Sequence, residues 1–245
     1  MNALFGTKHL ILIALSFAVA AVLFLVTRNC KFKQVCKALF YTGLVSEFIK
    51  IFYYINANEA THGGILPKTD LPFHLCSIQI LFFVVINFTE NEKLKRVLYS
   101  FMLPSCLFGG IAAILIATDS ARNGMWIITL QYFGYHIALI VFALHLFTSK
   151  EIKLDVKDYY NCLKFLVAIF FFAIYINGML YDGTKDMNFM YVSSPPQAGL
   201  PYLNEDQGWL TYILRYAALV VVCVTLVYVK PILAALKEKR AKKLQ

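Results

Sequence analysis

Apolar residues recur along this chain in seven long runs that shorter polar segments separate. A helix needs about 20 apolar residues to cross a bilayer core. Because lipid offers the backbone no hydrogen-bonding partner, runs of this length are expected to be helical. The predicted spans cover residues 9–27, 38–56, 71–89, 97–118, 125–147, 161–180 and 209–229. The pattern therefore predicts an all-α, polytopic transmembrane helix bundle of about seven spans.

The basic residues between these runs predict the orientation of the bundle. The segments after the first, third, fifth and seventh runs carry 16 lysines and arginines, whereas the segments on the opposite side carry 4. Cytoplasmic segments hold the excess of basic residues in membrane proteins. We therefore expect a multi-pass protein of the cell membrane with its N-terminus outside and its C-terminus in the cytoplasm. Residues 1–230 would form one transmembrane domain, followed by a basic cytoplasmic tail at 231–245.

The composition supports a membrane protein and argues against other classes. Hydrophobic residues make up 60% of the chain and charged residues 15%, with a mean hydropathy of +0.65. The net charge of +9 does not indicate a nucleic-acid partner, because the basic residues cluster in short segments between apolar runs. The six cysteines form no CxxC pair and no zinc-binding spacing with histidine, so neither a metal site nor a disulfide framework is expected. No cofactor motif is visible, membrane lipid is the expected partner, and the oligomeric state is left open.

Polar and ionisable residues inside the predicted spans give the main clue to function. Such residues are costly in lipid and usually face the interior of a bundle. At about 1.5 Å of rise per residue, eight of them on four spans fall in or near the outer half of the membrane. They are Glu47, Lys50, His74, Cys76, Gln79, Gln131, His136 and Arg215. We expect them to line a polar pocket that opens outward, which segment 181–208 could cap unless it is a plain connector.

Several of these residues also have a simpler structural interpretation. Glu47 and Lys50 are spaced i, i+3 and can neutralise each other on one helix face. Arg215 can extend its charge toward the lipid headgroups, and His136 can be a packing histidine whose hydrogen bonds are satisfied. Gly109-Gly110 in the fourth run is typical of close helix packing in membranes.

Three segments resemble signatures of the YwaF family of integral membrane proteins. Leu71-Pro72-Phe73-His74-Leu75-Cys76 resembles the LPxHLC signature of that family. Gln131-Tyr132-Phe133, leading to His136, is similar to its QYF-and-histidine stretch. Asp186-Met187-Asn188-Phe189-Met190-Tyr191, followed by Pro195, is similar to its N-Y-M-Y segment. The resemblance brings Asn188 and Tyr191 into the expected site.

The YwaF family in turn resembles eukaryotic membrane acyltransferases that remodel phospholipid acyl chains through a cysteine thioester and a histidine. Their Pro-Cys-His-Leu motif falls on Pro72-Phe73-His74-Leu75, so this chain has a phenylalanine at the position of the nucleophile. The resemblance implies His74 and His136 as the two histidines. Cys76 could act as nucleophile only in a differently arranged pocket.

These observations give a site and two functions to weigh. The candidate catalytic residues are His74, Cys76 and His136. The candidate substrate-binding residues are Glu47, Lys50, Gln79, Gln131, Asn188, Tyr191 and Arg215. The first function is lipid acyl transfer or acyl hydrolysis, in which Arg215 or Lys50 holds a phosphate headgroup. The alternative is a non-enzymatic binder or transporter of a lipid or small molecule, although the chain shows no inverted repeat of the kind that many transporters contain.

Overall fold

A computed structural model of the chain describes residues 4–57, 66–149, 152–181, 183, 187–197, 200, 202–204, 206 and 208–243. In these ranges the regular structure is helical throughout, which confirms the predicted all-α class. The α-helices are α1 (Thr7–Thr27), α2 (Phe32–Ala57), α3 (Leu75–Phe88), α4 (Glu92–Leu115), α5 (Asp119–Asn123), α6 (Trp126–Thr148), α7 (Val156–Leu180) and α8 (Trp209–Lys243). Two 3₁₀ turns, Lys68–Asp70 and Phe189–Tyr191, lie in the longer connections.

Five of these helices, α1, α4, α6, α7 and α8, are long and apolar enough to cross a membrane. The two remaining predicted spans correspond to α2 and α3. α2 has sufficient length but carries Glu47 and Lys50 within its apolar run. α3 has only 14 residues and begins at Leu75. The residue before a proline is driven to extended backbone, and Leu71, which precedes Pro72, has φ −59° and ψ 149°. The count of seven spans and the orientation stay predictions.

Successive long helices run in opposite directions, so the bundle has two distinct ends. At one end the start of α1 meets the end of α4, where His9 Nε2 lies 3.0 Å from the Ile114 carbonyl oxygen. This end also holds His74, and we call it the His74 end. At the opposite end, the start of α4 meets the start of α7 through Arg96 and Asp158. We call this the Arg96 end.

α4 and α6 form the centre of the bundle, and α1 lies at its periphery. In the most apolar stretch of α4 and of α6, 56% of the residues are buried, against 11% in α1. Gly110 allows the two central helices to approach closely. A β-carbon there would lie 3.1 Å from the His136 carbonyl oxygen and 2.8 Å from the Ile140 side chain. The close packing predicted for Gly109-Gly110 is thus present at Gly110.

At the Arg96 end, an ion pair that the sequence did not predict connects α4 to α7. Arg96 donates from Nε and Nη2 to the two carboxylate oxygens of Asp158, at 2.8 and 2.7 Å. Asp158 is fully buried, and with Asp155 it forms a capping box at the start of α7. The available signal was an aspartate three residues after another, directly before an apolar run.

The last helix extends well beyond the predicted span. α8 continues through Pro231 to Lys243 and therefore includes much of the basic segment at 231–245. The boundary drawn at residue 230 does not coincide with a helix end. The division into a membrane domain and a tail stays a prediction.

Candidate functional site

His74 is the N-cap residue of α3 and lies just before its first helical residue, without a capping hydrogen bond from its side chain. This position corrects the predicted continuous span at 71–89. Its backbone is extended, with φ −71° and ψ 154°. The imidazole interacts electrostatically with the Thr69 backbone. Its ring centroid lies 5.1 Å from that of Phe189 and 5.6 Å from that of Tyr191. His74 therefore lies where the connection before α3 meets the connection before α8.

Cys76 is the second residue of α3, beside backbone N–H groups that have no helical acceptor. The backbone N–H groups of Cys76 and Ser77 interact electrostatically with its sulfur. Lys50 of α2 interacts electrostatically with both Cys76 and His74. From α6, the Tyr135 hydroxyl donates to the Cys76 carbonyl oxygen at 2.9 Å. A helix N-terminus and a nearby lysine are surroundings in which reactive cysteines occur.

The ion pair predicted within α2 forms and lies beside Cys76. Lys50 Nζ is 2.8 Å from Glu47 Oε2, and the two side chains are 13% and 17% exposed. Glu47 also interacts electrostatically with Cys76 and with Tyr135. Because the two charges neutralise each other, α2 can carry them inside the bundle. The pair brings both a cation and a carboxylate to Cys76.

His136 is buried, and one of its ring nitrogens has no partner in the described structure. The side chain is 3% exposed, and Nδ1 lies 2.7 Å from the Tyr132 carbonyl oxygen. Because a carbonyl oxygen can only accept, we assign the proton to Nδ1, which leaves a lone pair on Nε2. No donor reaches Nε2 among the described residues. The arrangement therefore differs from that of a packing histidine with both nitrogens satisfied, and Nε2 is free to accept a proton.

Gln79 shows the same pattern one helical turn after Cys76. It is fully buried, and its Nε2 donates to Ser105 Oγ at 2.9 Å. Its Oε1 has no hydrogen-bond partner among the described residues. Buried polar atoms in proteins are nearly always paired. Gln79 Oε1 and His136 Nε2 are therefore two buried acceptors that a ligand or water could pair.

Tyr132 connects His136 to the surroundings of Cys76. Its ring centroid is 4.4 Å from that of His136, and it interacts electrostatically with Cys76. Its hydroxyl donates to the Ala113 carbonyl oxygen at 3.1 Å. We call His74, Cys76, Gln79 and His136, with the Glu47–Lys50 pair and Tyr132, the Cys76 site.

Residues 187–194 cover His74, and we call them the cap. Asn188 shapes the cap internally, because its side chain accepts from the Ser193 and Ser194 N–H groups and donates to the Ser194 carbonyl oxygen. Met190 and Tyr191 have φ values of 57° and 54°. Residues other than glycine rarely adopt such values, and strain of this kind clusters at functional sites.

The rest of segment 181–208 is only partly described. Lys185, Asp186 and Pro201 lie outside the described residues, as do His62, Gly63 and Gly64.

α7 and α8 hold the cap in place. Asn177 of α7 accepts from the Phe189 N–H at 2.7 Å and donates to its carbonyl oxygen at 3.1 Å. The Tyr212 hydroxyl of α8 donates to the carbonyl oxygens of Tyr191 and Ser194, the latter at 3.0 Å. Tyr216 donates to the Met190 carbonyl oxygen at 3.2 Å. Burial, followed by the nearby Cys76 and Tyr216, raises the pKa of Tyr191, so its phenol is neutral at physiological pH.

Two other predicted binding residues make contacts that do not involve His74, Cys76 or His136. Gln131 donates from Nε2 to Ser46 Oγ at 2.7 Å and thereby ties α6 to α2. Arg215 donates from Nη1 to Asn204 Oδ1 at 2.9 Å, which ties α8 to the preceding connection.

Phe73 occupies the position of the acyltransferase nucleophile in the motif comparison. Its ring packs at 6.0 Å from that of Phe172 and at 5.5 Å from that of Phe189. The side chain is thus part of the apolar packing beneath the cap. Any cysteine chemistry near His74 must come from another position.

Sequence reasoning missed the tyrosines that organise this region. Tyr135, Tyr212 and Tyr216 bond backbone carbonyl groups of α3 and of the cap. The chain has 15 tyrosines, and the residue type alone does not show which of them bond the backbone. The i, i+4 spacing of Tyr212 and Tyr216, whose rings stack at 6.1 Å, was the only available signal.

Two grooves lie apart from the Cys76 site. One has a volume of about 590 Å³ and runs between α1 and α6. The other has about 170 Å³, lies between α2 and α6, and includes Ser46 and Gln131 in its lining. Neither groove is lined by His74, Cys76 or His136. The outward-opening pocket predicted around these three residues is therefore neither of the two.

Comparison with known proteins supplies the family of the chain. The sequence profile of the TMEM164 family matches residues 4–228, which include every residue of the Cys76 site and the cap. Neither a curated protein nor a solved structure matches the chain significantly. The family and the apolar helices together identify a multi-pass membrane protein. By the extent of the match, this chain belongs to the TMEM164 family.

Proposed function

We propose that this protein is a membrane enzyme that transfers or hydrolyses a lipid acyl chain, with Cys76 as its nucleophile. The observation that carries the proposal is the surroundings of Cys76 at the start of α3. Lys50 interacts electrostatically with the thiol, and the backbone N–H groups of the first turn of α3 have no helical acceptor. Tyr132 interacts electrostatically with Cys76, and its ring lies 4.4 Å from that of His136, a buried imidazole whose Nε2 has no partner among the described residues. These are the components of cysteine acyl transfer: a nucleophile, a base and donors for an oxyanion.

The first step would form a thioester on Cys76. His136 Nε2, or the imidazole of His74, takes the thiol proton, and the sulfur attacks the carbonyl carbon of a lipid ester. In this proposal the N–H groups of the first turn of α3, which have no helical acceptor, stabilise the negative oxygen of the tetrahedral intermediate. The C–O bond then breaks, and the lysolipid oxygen leaves with the proton that the imidazolium returns.

The second step would release the acyl group. A hydroxyl of another lipid, or water, attacks the thioester carbonyl and passes its proton to the same imidazole. The C–S bond breaks, and Cys76 regains its proton. A lipid hydroxyl gives acyl transfer, whereas water gives hydrolysis.

The resemblance to YwaF proteins and to phospholipid acyltransferases supports this reaction class. It matches the sequence around His74 and His136 but departs at Phe73, whose ring is packed beneath the cap. In our proposal Cys76 replaces the missing cysteine from a position three residues later. Lys50 is the cation that holds the phosphate of the lipid.

The proposed enzyme lies in the cell membrane with seven spans and its N-terminus outside. α2 and the segment from Leu71 to the end of α3 complete the five helices that are long enough to span. The paired charges of Glu47 and Lys50 support a membrane location for α2. The excess of basic residues at the Arg96 end supports a cytoplasmic location for that end.

The test uses purified protein in vesicles of phosphatidylcholine whose acyl chains carry an alkyne. We expect acyl label on the protein that hydroxylamine removes, and none on a Cys76→Ala variant. Cys106→Ala is the matched control, because Cys106 is a fully buried cysteine on α4 that interacts electrostatically with Cys76. This variant should keep the label.

Three outcomes separate the functions. Label that persists in Cys76→Ala contradicts the assigned nucleophile. Labelled lysolipid or free fatty acid without a protein intermediate would point to a direct mechanism that uses His74 and His136. Lipid that binds without any change in its acyl chains would support a non-enzymatic binder and contradict the proposed function.

A further inference from the structure

The groove between α1 and α6 follows one side of α1, which is bonded to the bundle near both of its ends. Near its start, His9 Nε2 lies 3.0 Å from the Ile114 carbonyl oxygen. At its last residue, Thr27 Oγ1 lies 2.8 Å from His145 Nε2. Between these contacts Ala20 is buried in an apolar cluster with α6, and beside this contact the two helices border a groove of about 590 Å³. This volume falls within the range of about 300–1,000 Å³ that ligand sites occupy.

The groove is shorter than the hydrocarbon core of a bilayer. Its lining extends on α6 from Trp126 to Ile137 and on α1 from Lys8 to Leu23. At about 1.5 Å of rise per residue these distances are roughly 16 and 22 Å, against the ~30 Å hydrocarbon core of a bilayer, so the groove has the length for one lipid leaflet and not for two. Gly134 keeps the floor open, since a β-carbon at this position would meet no atom within 4 Å.

The lining is apolar along most of its length and carries polar groups toward the His74 end. Lys8 lies there, and its ammonium donates to the Arg122 carbonyl oxygen at 2.8 Å. An ammonium has three donors, so Lys8 can still bond an anionic group. Trp126 is 72% exposed at the same end, and tryptophan is enriched at the level of lipid headgroups.

Thr129 adds a polar atom just below this end. It lies one helical turn after Trp126, and its hydroxyl is buried without a hydrogen-bond partner among the described residues. A rotation of the Thr129 side chain about its Cα–Cβ bond would turn this hydroxyl into the groove, where it can donate to an ester carbonyl oxygen. An amine, an indole, a hydroxyl and then an apolar channel follow one another in the order of a phospholipid: phosphate, interface, ester and acyl chain.

We propose that this groove binds one anionic phospholipid from the leaflet at the His74 end. Its phosphate lies on Lys8, an ester carbonyl oxygen meets Thr129, and an acyl chain fills the channel along Gly134. A transmembrane helix of a partner protein fits less well, because a helix is about 10 Å across and would leave the amine and the hydroxyl without partners. The proposal does not depend on chemistry at Cys76.

The test is native mass spectrometry of the full chain released from nanodiscs of phosphatidylcholine with a minority of phosphatidylglycerol. We expect the chain to retain one phosphatidylglycerol molecule. Lys8→Glu should lower this occupancy by about fivefold or more, since one basic residue near the surface favours anionic lipid by about this factor. Gly134→Leu should remove the retained lipid, because the leucine side chain fills the channel.

Gly178→Leu is the matched control. Gly178 lies inside α7 and, like Gly134, has no atom within 4 Å of its β-carbon position. Both variants should therefore fold, as thermal unfolding in detergent would verify, but only Gly134→Leu should lose the lipid. Equal occupancy in these two variants would overturn the site. A dimer that Gly134→Leu separates would show that the groove is a protein interface, which also overturns the proposal.

Discussion

The two ends of this bundle differ in whether all of their buried polar groups have hydrogen-bond partners among the described residues. At the Arg96 end, the fully buried Asp158 accepts two bonds from Arg96 and one from the Asp155 N–H at 2.7 Å. Toward the His74 end, Gln79 Oε1 and His136 Nε2 are buried without a partner among the described residues. The third such atom in the described structure, Thr129 Oγ1, lies on the same side.

This contrast separates residues whose paired polar groups stabilise the fold, such as Asp158, from residues whose unpaired polar groups lower its stability, such as Gln79 and His136. A satisfied buried hydrogen bond stabilises a protein by about 1 kcal/mol, whereas an unsatisfied buried group costs about 1–3 kcal/mol. The strained backbone at Met190 and Tyr191 adds a further cost at the His74 end. Substitutions at the Arg96 end should therefore lower stability and spare chemistry, and substitutions of the unpaired groups toward the His74 end should do the reverse.

The largest effect is expected for His136→Leu. Loss of a general base lowers a reaction rate by about 10²–10⁴-fold, so thioester formation should fall by that factor. Stability should stay the same or rise, because the variant removes an unpaired buried nitrogen. Acyl labelling and thermal unfolding in detergent would measure the two effects.

His145→Leu provides the control on the same helix. His145 is also buried, but its Nε2 is paired with Thr27 Oγ1. This variant should keep the labelling rate and lose about 1 kcal/mol of stability. If both histidine variants lost activity to the same extent, the distinction between the two ends would not stand.

Asp158→Ala should show the largest loss of stability. The loss of a partner from a fully buried pair costs about 3–5 kcal/mol. Because the Arg96 side chain is 48% exposed and can turn to water, we expect a smaller loss of about 2–4 kcal/mol. Denaturant unfolding in detergent would measure it, and labelling per folded molecule should not change. Asp155→Ala, at a 53% exposed N-cap, should cost only about 1 kcal/mol.

The sequence predicted the fold class well because the apolar runs follow from the lipid environment. The runs at 125–147 and 9–27 correspond to α6 and α1 within a few residues. The prediction for 71–89 was wrong at its start, where Pro72 keeps Leu71 extended and the helix begins only at Leu75, after its N-cap residue His74. A hydropathy pattern reflects the polarity of side chains only, whereas the extended conformation of Leu71 is an effect of the following proline on the backbone.

Only part of the site could be predicted, for a related reason. The depth estimated along each predicted helix placed Lys50, His74 and Cys76 at about the same level of the membrane. In the structure, Lys50 interacts electrostatically with both His74 and Cys76. Depth does not reveal direction around the helix, so it did not predict that Gln131 bonds Ser46 or that Arg215 bonds Asn204. Substrate binding by these two residues stays a prediction. The tyrosines that hold the cap act through backbone carbonyl groups, for which the sequence carries no complementary signal.

Tyr212→Phe tests whether the cap belongs to the functional end. The variant removes the hydroxyl that donates to the carbonyl oxygens of Tyr191 and Ser194. We expect a loss of about 0.5–1.5 kcal/mol in unfolding free energy, with a higher KM for lipid because His74 is less firmly covered. Tyr160→Phe, at an exposed tyrosine of α7, should change neither. An unchanged KM in Tyr212→Phe would make the cap a plain connector.

The smallest expected effect gives the most direct test of the difference between the two ends. Replacement of the amides of Gln79 and Asn87, both on α3, should change the unfolding free energy in opposite directions. Gln79→Leu removes a buried oxygen without a partner, and Ser105 keeps its bond to the Phe101 carbonyl oxygen at 2.7 Å. We therefore expect a gain of about 0.5–1 kcal/mol in stability together with slower labelling.

Asn87 lies at the other end of α3, and its side chain donates to the carbonyl oxygens of Cys36 and Phe83 at 3.2 and 2.7 Å. Asn87→Leu should therefore lose about 1 kcal/mol and keep its labelling rate. Denaturant unfolding of the two variants side by side gives both signs in one experiment. A loss of stability in both would mean that the Gln79 amide supports the fold. The orphaned acceptors would then no longer mark the His74 end as the place where a substrate binds.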